Sequence, residues 1–247
     1  MAVNNKNIKP FLHQEIFKIS ENIDVVQKQI GDMKIIIAEN LFKNFKDLRE
    51  LVLNSSPGNW KLSINDSRNY IDYYDCRLSF PSLQHQLYDT TKKIINHVYQ
   101  KNTIHMDKTI EANWFKQIKN KKANFATPHS DQISNSQMYT CLVYLNSKKE
   151  SSGGTAFFKH KELNIHNDFF DENFKNFNLQ HQDAIENGQN YWPNEKYWEL
   201  TSYIEMNPNR LIIFPSDYFH AAYHPINSFF KFPRLTLVYW MTETNEV

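Results

Sequence analysis

Cysteine is scarce. The 247-residue chain has 2, Cys76 and Cys141, far apart and without CxxC spacing. That argues against a disulfide framework and against a zinc–cysteine site, and two reduced thiols in a cytoplasmic protein is the default reading. Glycine is also scarce, at 5 residues, while Asn and Lys are abundant, a bias that says little about chemistry. No apolar run approaches the length of a membrane span. The first ten residues are polar and lack the apolar core of a secretion signal. Net charge is +1, so nothing in the balance asks for nucleic acid, a membrane surface or a polyanionic substrate. What is present is 40% hydrophobic and 15% aromatic content, which suits a globular protein with a substantial core.

There is no internal repeat and no evident linker, so residues 1–247 read as one domain. Residues 1–105 are expected to be a largely helical support region, with residues 1–31 a polar, partly helical lead-in and 34–38 a short strand. Leu48, Leu51 and Val52 stand at helical spacing and predict a helix over 44–54 that stops near Ser55-Ser56-Pro57-Gly58. A second helix over 82–100 carries the apolar stripe Leu83, Leu87, Ile94, Ile95 and Val98. Five segments then read as strands: 110–118, 138–145, 155–158, 210–214 and 234–241. They are short, rich in β-branched and aromatic residues, and bounded by polar turns. Helices followed by many antiparallel strands predict an α+β, mainly β fold. Its core, over 106–242, is a double-stranded β-helix (a jelly roll, cupin-like), with helices packed on one sheet. Residues 160–205 interrupt the pattern. This long segment holds Phe169, Phe170, Tyr191, Trp192, Tyr197 and Trp198, and it reads as a lid or substrate wall, or as an insertion with its own small core.

Four His-x-Asp triplets occur: His105-Met106-Asp107, His129-Ser130-Asp131, His166-Asn167-Asp168 and His181-Gln182-Asp183. A triplet alone carries little weight, so context must choose. His129 and Asp131 lie between two predicted strands, where i, i+2 spacing in extended chain points both side chains to one side. Pro128 stiffens the approach. His166 and His181 fall in the irregular segment, and His105 in a polar connection after the long helix. A third ligand is expected from a late strand. His220 follows the apolar run Ile212-Ile213-Phe214, whereas His224 precedes a proline and reads as a turn residue. His129, Asp131 and His220 are therefore the expected metal ligands. Two imidazoles and one carboxylate can hold one face of a ferrous ion and leave positions open for a chelating 2-oxo acid and O2.

Such a diacid needs a lasting positive charge at its far carboxylate, and Arg suits a planar two-point fit better than Lys. Arg234 opens the last predicted strand, fourteen residues after His220. Period-two alternation puts Arg234, Thr236 and Val238 on one face and Leu235, Leu237 and Tyr239 on the other. Thr236 adds a hydroxyl and Tyr144 a phenol to the expected acid-binding group. A structural salt bridge is the plainer use for Arg234.

The block Pro128-His129-Ser130-Asp131, Tyr139-Thr140-Cys141-Leu142-Val143-Tyr144-Leu145-Asn146, Gly153-Gly154-Thr155-Ala156-Phe157-Phe158, Arg210-Leu211-Ile212-Ile213-Phe214-Pro215-Ser216, His220 and Arg234-Leu235-Thr236 resembles the prolyl-4-hydroxylase-like branch of the Fe(II)/2-oxoglutarate-dependent oxygenases. Within it, the chain is similar to the DUF6445-like bacterial and phage proteins, over residues 110–242 above all. The resemblance implies His129, Asp131 and His220 as iron ligands, Arg234 for the 2-oxoglutarate C5 carboxylate and Tyr144 beside it. It implies an enzyme, a dioxygenase that consumes 2-oxoglutarate and O2 and releases succinate and CO2. The C–H bond hydroxylated would belong to an amino acid, a peptide or protein side chain, or a small metabolite. In that family a small residue in place of the carboxylate goes with halogenation, so Asp131 favours hydroxylation. Arg234 stands further from the last histidine than the branch often has it. Two other readings fit the same residues: a cupin-like metal barrel without 2-oxoglutarate chemistry, and a ligand-binding module built on the aromatic segment. The sequence carries no signal for oligomeric state.

Overall fold

The computed structural model describes residues 15–54, 61–62, 73–79, 84–100, 104–106, 111–117, 128–132, 136–167, 196–223, 225 and 232–243. In chain order the elements are β1 (Asp24–Ile30), β2 (Met33–Glu39), α1 (Phe45–Leu53), β3 (Lys61–Leu62), β4 (Tyr73–Ser79), α2 (Gln84–Tyr99), β5 (Ile104–Met106), β6 (Glu111–Gln117), β7 (Met138–Tyr144), β8 (Gly154–His160), β9 (Trp198–Glu205), β10 (Leu211–Pro215), β11 (His220–Tyr223) and β12 (Arg234–Glu243). Among the described residues, a 9-stranded antiparallel sheet runs β1-β2-β10-β7-β12-β6-β4-β3, with β5 paired to β12. Also among the described residues, a 3-stranded sheet runs β11-β8-β9. The fold is thus the expected one, mainly β with two facing sheets and helices on the outer side of the larger.

Alternation along the central strands builds the layers. On β12, Leu235, Leu237, Tyr239 and Met241 join the core under the helices, with Tyr139, Cys141 and Val143 of β7. Leu48 and Val52 of α1 and Leu87, Ile95 and Val98 of α2 close that core from the other side. Each such buried aliphatic contributes about 1.5–3 kcal/mol relative to exposure. The opposite faces of the same strands look toward the smaller sheet. Val238 and Trp240 of β12 and Leu142 and Tyr144 of β7 pack there with Phe157 of β8, Ile204 of β9 and Phe214 of β10. Burial on both faces is why β7 reads as an almost unbroken apolar run.

Several expectations need correction. Residues 24–30 are not helical lead-in but strand β1, paired with β2 from Asp24↔Glu39 to Ile30↔Met33. Gly31, at φ +56°, supplies the left-handed start of the two-residue turn Gly31-Asp32 that makes this hairpin. The pairing decides the outcome, because β1 is exposed along nearly its whole length and has no apolar face to announce it. Among the described residues of 1–105, strands β1, β2, β3 and β4 accordingly stand beside the helices and form both ends of the larger sheet. His105 lies within β5 rather than in a connection. The segment 160–205 is less irregular than its composition suggests, because it closes with β9, paired to β8 from Gly154↔Glu205 to His160↔Trp198. Trp198 does not stand in a lid. It is buried on the outer side of the smaller sheet with Ala156, Phe158, Phe219 and Ala221. Residues 168–195, which hold Phe169, Phe170, Tyr191 and Trp192, lie outside the described residues, as do His181 and His224.

Candidate metal centre

His129 and Asp131 are carried by a short extended strap that crosses from one sheet to the other. The backbone N–H of His129 donates to the carbonyl of His220 at 3.0 Å, and that of His220 donates back to His129 at 2.9 Å. Two residues on, the Asp131 N–H donates to the carbonyl of Ser216 at 2.8 Å. His220 does not continue the strand of Ile212 and Phe214, as its sequence context suggests. β10 ends at Pro215 in the larger sheet, the chain turns, and His220 opens β11 in the smaller one. The strap thus holds Asp131 against the turn and His129 against the new strand.

The three side chains converge. One ligand atom from each of His129, Asp131 and His220 lies within 4.8 Å of the others. Asp131 Oδ2 is 3.3 Å from His220 Nε2 and Asp131 Oδ1 is 3.7 Å from His129 Nε2. A first-row metal with bonds of about 2.1 Å sets adjacent donors roughly 3 Å apart, so the spacing suits a single cation. His220 and Asp131 are 8% and 18% exposed at the side chain, His129 52%. The cluster therefore opens to solvent on the His129 side.

The protonation states also suit a cation. His220 Nδ1 lies 2.9 Å from the Tyr218 carbonyl. A carbonyl can only accept, so Nδ1 carries a proton, which makes Nε2 the nitrogen able to turn a lone pair to a cation. Burial pushes the Asp131 carboxyl up. His220, His129 and a hydrogen bond from Trp240 together outweigh that and hold it well below the usual carboxylate range. Its Oδ2 accepts from Thr140 Oγ1 at 2.9 Å and from Trp240 Nε1 at 3.1 Å. Two imidazole nitrogens and one anionic carboxylate match Fe(II) and similar ions better than calcium or magnesium.

A second polar group lies further along β12 and β7. Arg234 is buried, and its guanidinium sits 5.8 Å from the centre of the Tyr144 ring. The Tyr144 hydroxyl bonds Thr155 Oγ1 at 2.8 Å. Burial raises the Tyr144 phenol against the pull of Arg234, so it stays protonated at neutral pH. Thr236 pairs with Tyr144 across β12 and β7. Its buried hydroxyl has no hydrogen-bond partner, an unusual cost in a folded chain. Arg234, Tyr144, Thr155 and Thr236 together form a cationic, hydroxyl-rich wall, the chemistry that receives a carboxylate.

Residues 76–231 match the description "Family of unknown function (DUF6445)". The chain belongs to the DUF6445 family. A search of curated proteins gives no match. Among solved structures, this DUF6445 chain is similar to the non-heme alpha ketoglutarate dependent epimerase SnoN from nogalamycin biosynthesis. That match has 12% identity and a TM-score of 0.50, and covers 85% of this chain and 76% of SnoN. It also matches a Pseudomonas putida prolyl-4-hydroxylase at 11% identity and TM-score 0.39, covering 81% and 84% of the two chains. HygX from Streptomyces hygroscopicus, with nickel and 2-oxoglutarate bound, matches at 8% identity and TM-score 0.43, covering 85% and 82%. At such identities the likeness is one of fold. The DUF6445 chain therefore shares the double-sheet architecture, and its own residues must carry any further argument.

Of the other triplets, His166 belongs to the segment behind the smaller sheet, where its carbonyl accepts from Phe219 N–H at 2.9 Å. Sequence reading missed the groups that surround Asp131: Thr140, Ser216 and Trp240. One signal was available. Continuing the alternation of Arg234, Thr236 and Val238 puts Trp240 on the same face, and β12 pairs Trp240 directly with Thr140.

Proposed function

We infer that this DUF6445 protein is an Fe(II)- and 2-oxoglutarate-dependent dioxygenase that hydroxylates a C–H bond of an amino acid, a peptide or protein side chain, or a small metabolite. One observation carries the reading: His129, Asp131 and His220 meet with ligand atoms inside 4.8 Å, and β12 and β7, which supply the Trp240 and Thr140 contacts to Asp131, also carry buried Arg234 and the unsatisfied hydroxyl of Thr236. The description of SnoN as alpha ketoglutarate dependent supports the same choice of cosubstrate.

His129, Asp131 and His220 would hold the iron. When bound, the iron with 2-oxoglutarate and O2 supplies the oxidising chemistry, and the protein supplies geometry and exclusion of water. Asp131 brings the single negative charge and leaves the rest of the coordination sphere to exchangeable ligands. Arg234 provides the charge complement for the distal carboxylate of 2-oxoglutarate, with Thr236 and Tyr144 as hydroxyl donors beside it. Val238 and Leu142, cross-strand partners between the Thr236–Tyr144 and Trp240–Thr140 pairs, set an apolar step between the two groups. Half-exposed His129 marks the open side, from which a substrate would approach.

The test is spectroscopic and then catalytic. Anaerobic protein with Fe(II) should develop a visible charge-transfer band on addition of 2-oxoglutarate. A substrate screen read by succinate release should then find compounds that stimulate turnover. Protein that binds Fe(II) but gives neither band nor succinate would instead be a metal barrel without this chemistry.

A further inference from the structure

Resting on the metal reading above, we propose that Trp240 and Thr140 are positioning residues that clamp one oxygen of Asp131, and that Ser216 sets the direction of the clamp. Asp131 Oδ2 receives two neutral donors, Thr140 Oγ1 at 2.9 Å and Trp240 Nε1 at 3.1 Å. A carboxylate accepts only, so the Thr140 proton is committed to Asp131. The Thr140 hydroxyl is also 2.9 Å from Ser216 Oγ. Having one proton, it must accept there, and Ser216 donates. The relay therefore runs one way, Ser216 to Thr140 to Asp131.

The placement goes beyond packing, because Thr140 and Trp240 come from different strands and meet one atom, with Ser216 behind Thr140. Thr140 lies on β7 and Trp240 on β12, and they are cross-strand partners, so the two donors sit side by side on a rigid pair. Ser216 follows β10, and its carbonyl also accepts the Asp131 backbone N–H at 2.8 Å. Thr140 and Ser216 are buried at 1% and 0% exposure, so water does not compete. Asp131 is thus gripped at its backbone by the Ser216 carbonyl and at its side chain by donors from two strands, β7 and β12. Such outer contacts fix ligand orientation, and losing one typically weakens metal affinity 10–100-fold.

The experiment uses Co(II) as an air-stable probe on the full chain, comparing wild type with Trp240→Phe, Thr140→Val and Thr140→Ser. Trp240→Phe keeps a ring and loses the N–H. Thr140→Val keeps the shape and loses the proton, and Thr140→Ser keeps the proton. Co(II) affinity should fall about tenfold or more in Trp240→Phe and Thr140→Val, and Thr140→Ser should stay within about threefold of wild type. A structural role would shift melting of the metal-free protein without this split. A second readout covers any variant that fails to fold. In wild type labelled with 15N, diamagnetic Zn(II) should move one indole N–H resonance, the one that Trp240→Phe deletes. If wild type takes up Co(II) and all variants match it, or the Trp240 resonance ignores Zn(II), the clamp is wrong and the metal centre stands. If wild type takes up no metal, both proposals fall.

Discussion

His129 and His220 exchange both backbone hydrogen bonds, N–H to carbonyl in each direction at 3.0 and 2.9 Å, and so bring their imidazoles to 4.6 Å between ring centres. They are 91 positions apart in sequence. Their mutual bridge is what turns two histidines distant in sequence into one cluster.

Removing any ligand should therefore abolish binding and leave the fold. Asp131→Ala, His129→Ala and His220→Ala are expected to lose metal by more than the roughly 100-fold that an outer contact can account for, with succinate formation lost in step. Equilibrium dialysis with metal analysis measures this. Retention of full metal content by Asp131→Ala would remove the carboxylate from the centre.

Thr236 offers a cleaner separation of stability from function. Its buried hydroxyl has no partner, so Thr236→Val should leave the melting temperature of the ligand-free protein unchanged or slightly higher. The same change should raise the KM for 2-oxoglutarate about tenfold, the value of one hydrogen bond to a charged group. A lower melting temperature with unchanged KM would mean that the hydroxyl serves the fold.

Gly154 is a packing constraint. A Cβ there would stand 1.9 Å from the Ile204 carbonyl oxygen and 3.0 Å from the Met206 nitrogen, both backbone atoms that cannot swing aside. Gly154→Ala should force β8 and β9 apart and cost about 3 kcal/mol, as read by urea unfolding.

Glu150 should give the protein part of its acid sensitivity. Its carboxylate accepts from Arg49 of α1 at 2.7 Å and from the Ser147 N–H at 2.9 Å. Burial raises this group, but the Ser147 and Arg49 contacts prevail and its ionisation falls below the ordinary range. A folded value below the unfolded one means stability that is complete above the unfolded value, near 4.3. It is lost as pH falls through the lower, folded value. Glu150→Gln should cost about 1–2 kcal/mol at pH 7, and the gap to wild type should narrow below about pH 4. Urea unfolding at pH 7 and at pH 3.5 makes the comparison. A constant gap would show that charge at Glu150 does not matter.

Local pattern made much of this legible and stopped at definite points. The faces of β12 followed from alternation alone, since Leu235, Leu237 and Tyr239 do pack under the helices while Val238 packs toward the smaller sheet. The stripe of α2 was visible for the same reason, with Leu87, Ile95 and Val98 all buried. β1 was not, because both its faces are wet and only the hairpin holds it extended. β9 was hidden by its polar neighbours and by exposed Leu200 and Tyr203.

By itself the sequence determined the two helices, the central strands β2, β6, β7, β8, β10 and β12, and which side of β12 is oily, because those properties are set by side-chain period and by neighbours a few positions away. It also singled out a His-x-Asp pair in rigid context. Only the tertiary structure decided that His220 opens a strand of the opposite sheet, that Ser216, Thr140 and Trp240 surround Asp131, and that Thr236 is left with an unsatisfied hydroxyl. Those facts depend on which strands pair and in what register. That choice is made by contacts between residues distant in the chain, and no local period encodes it.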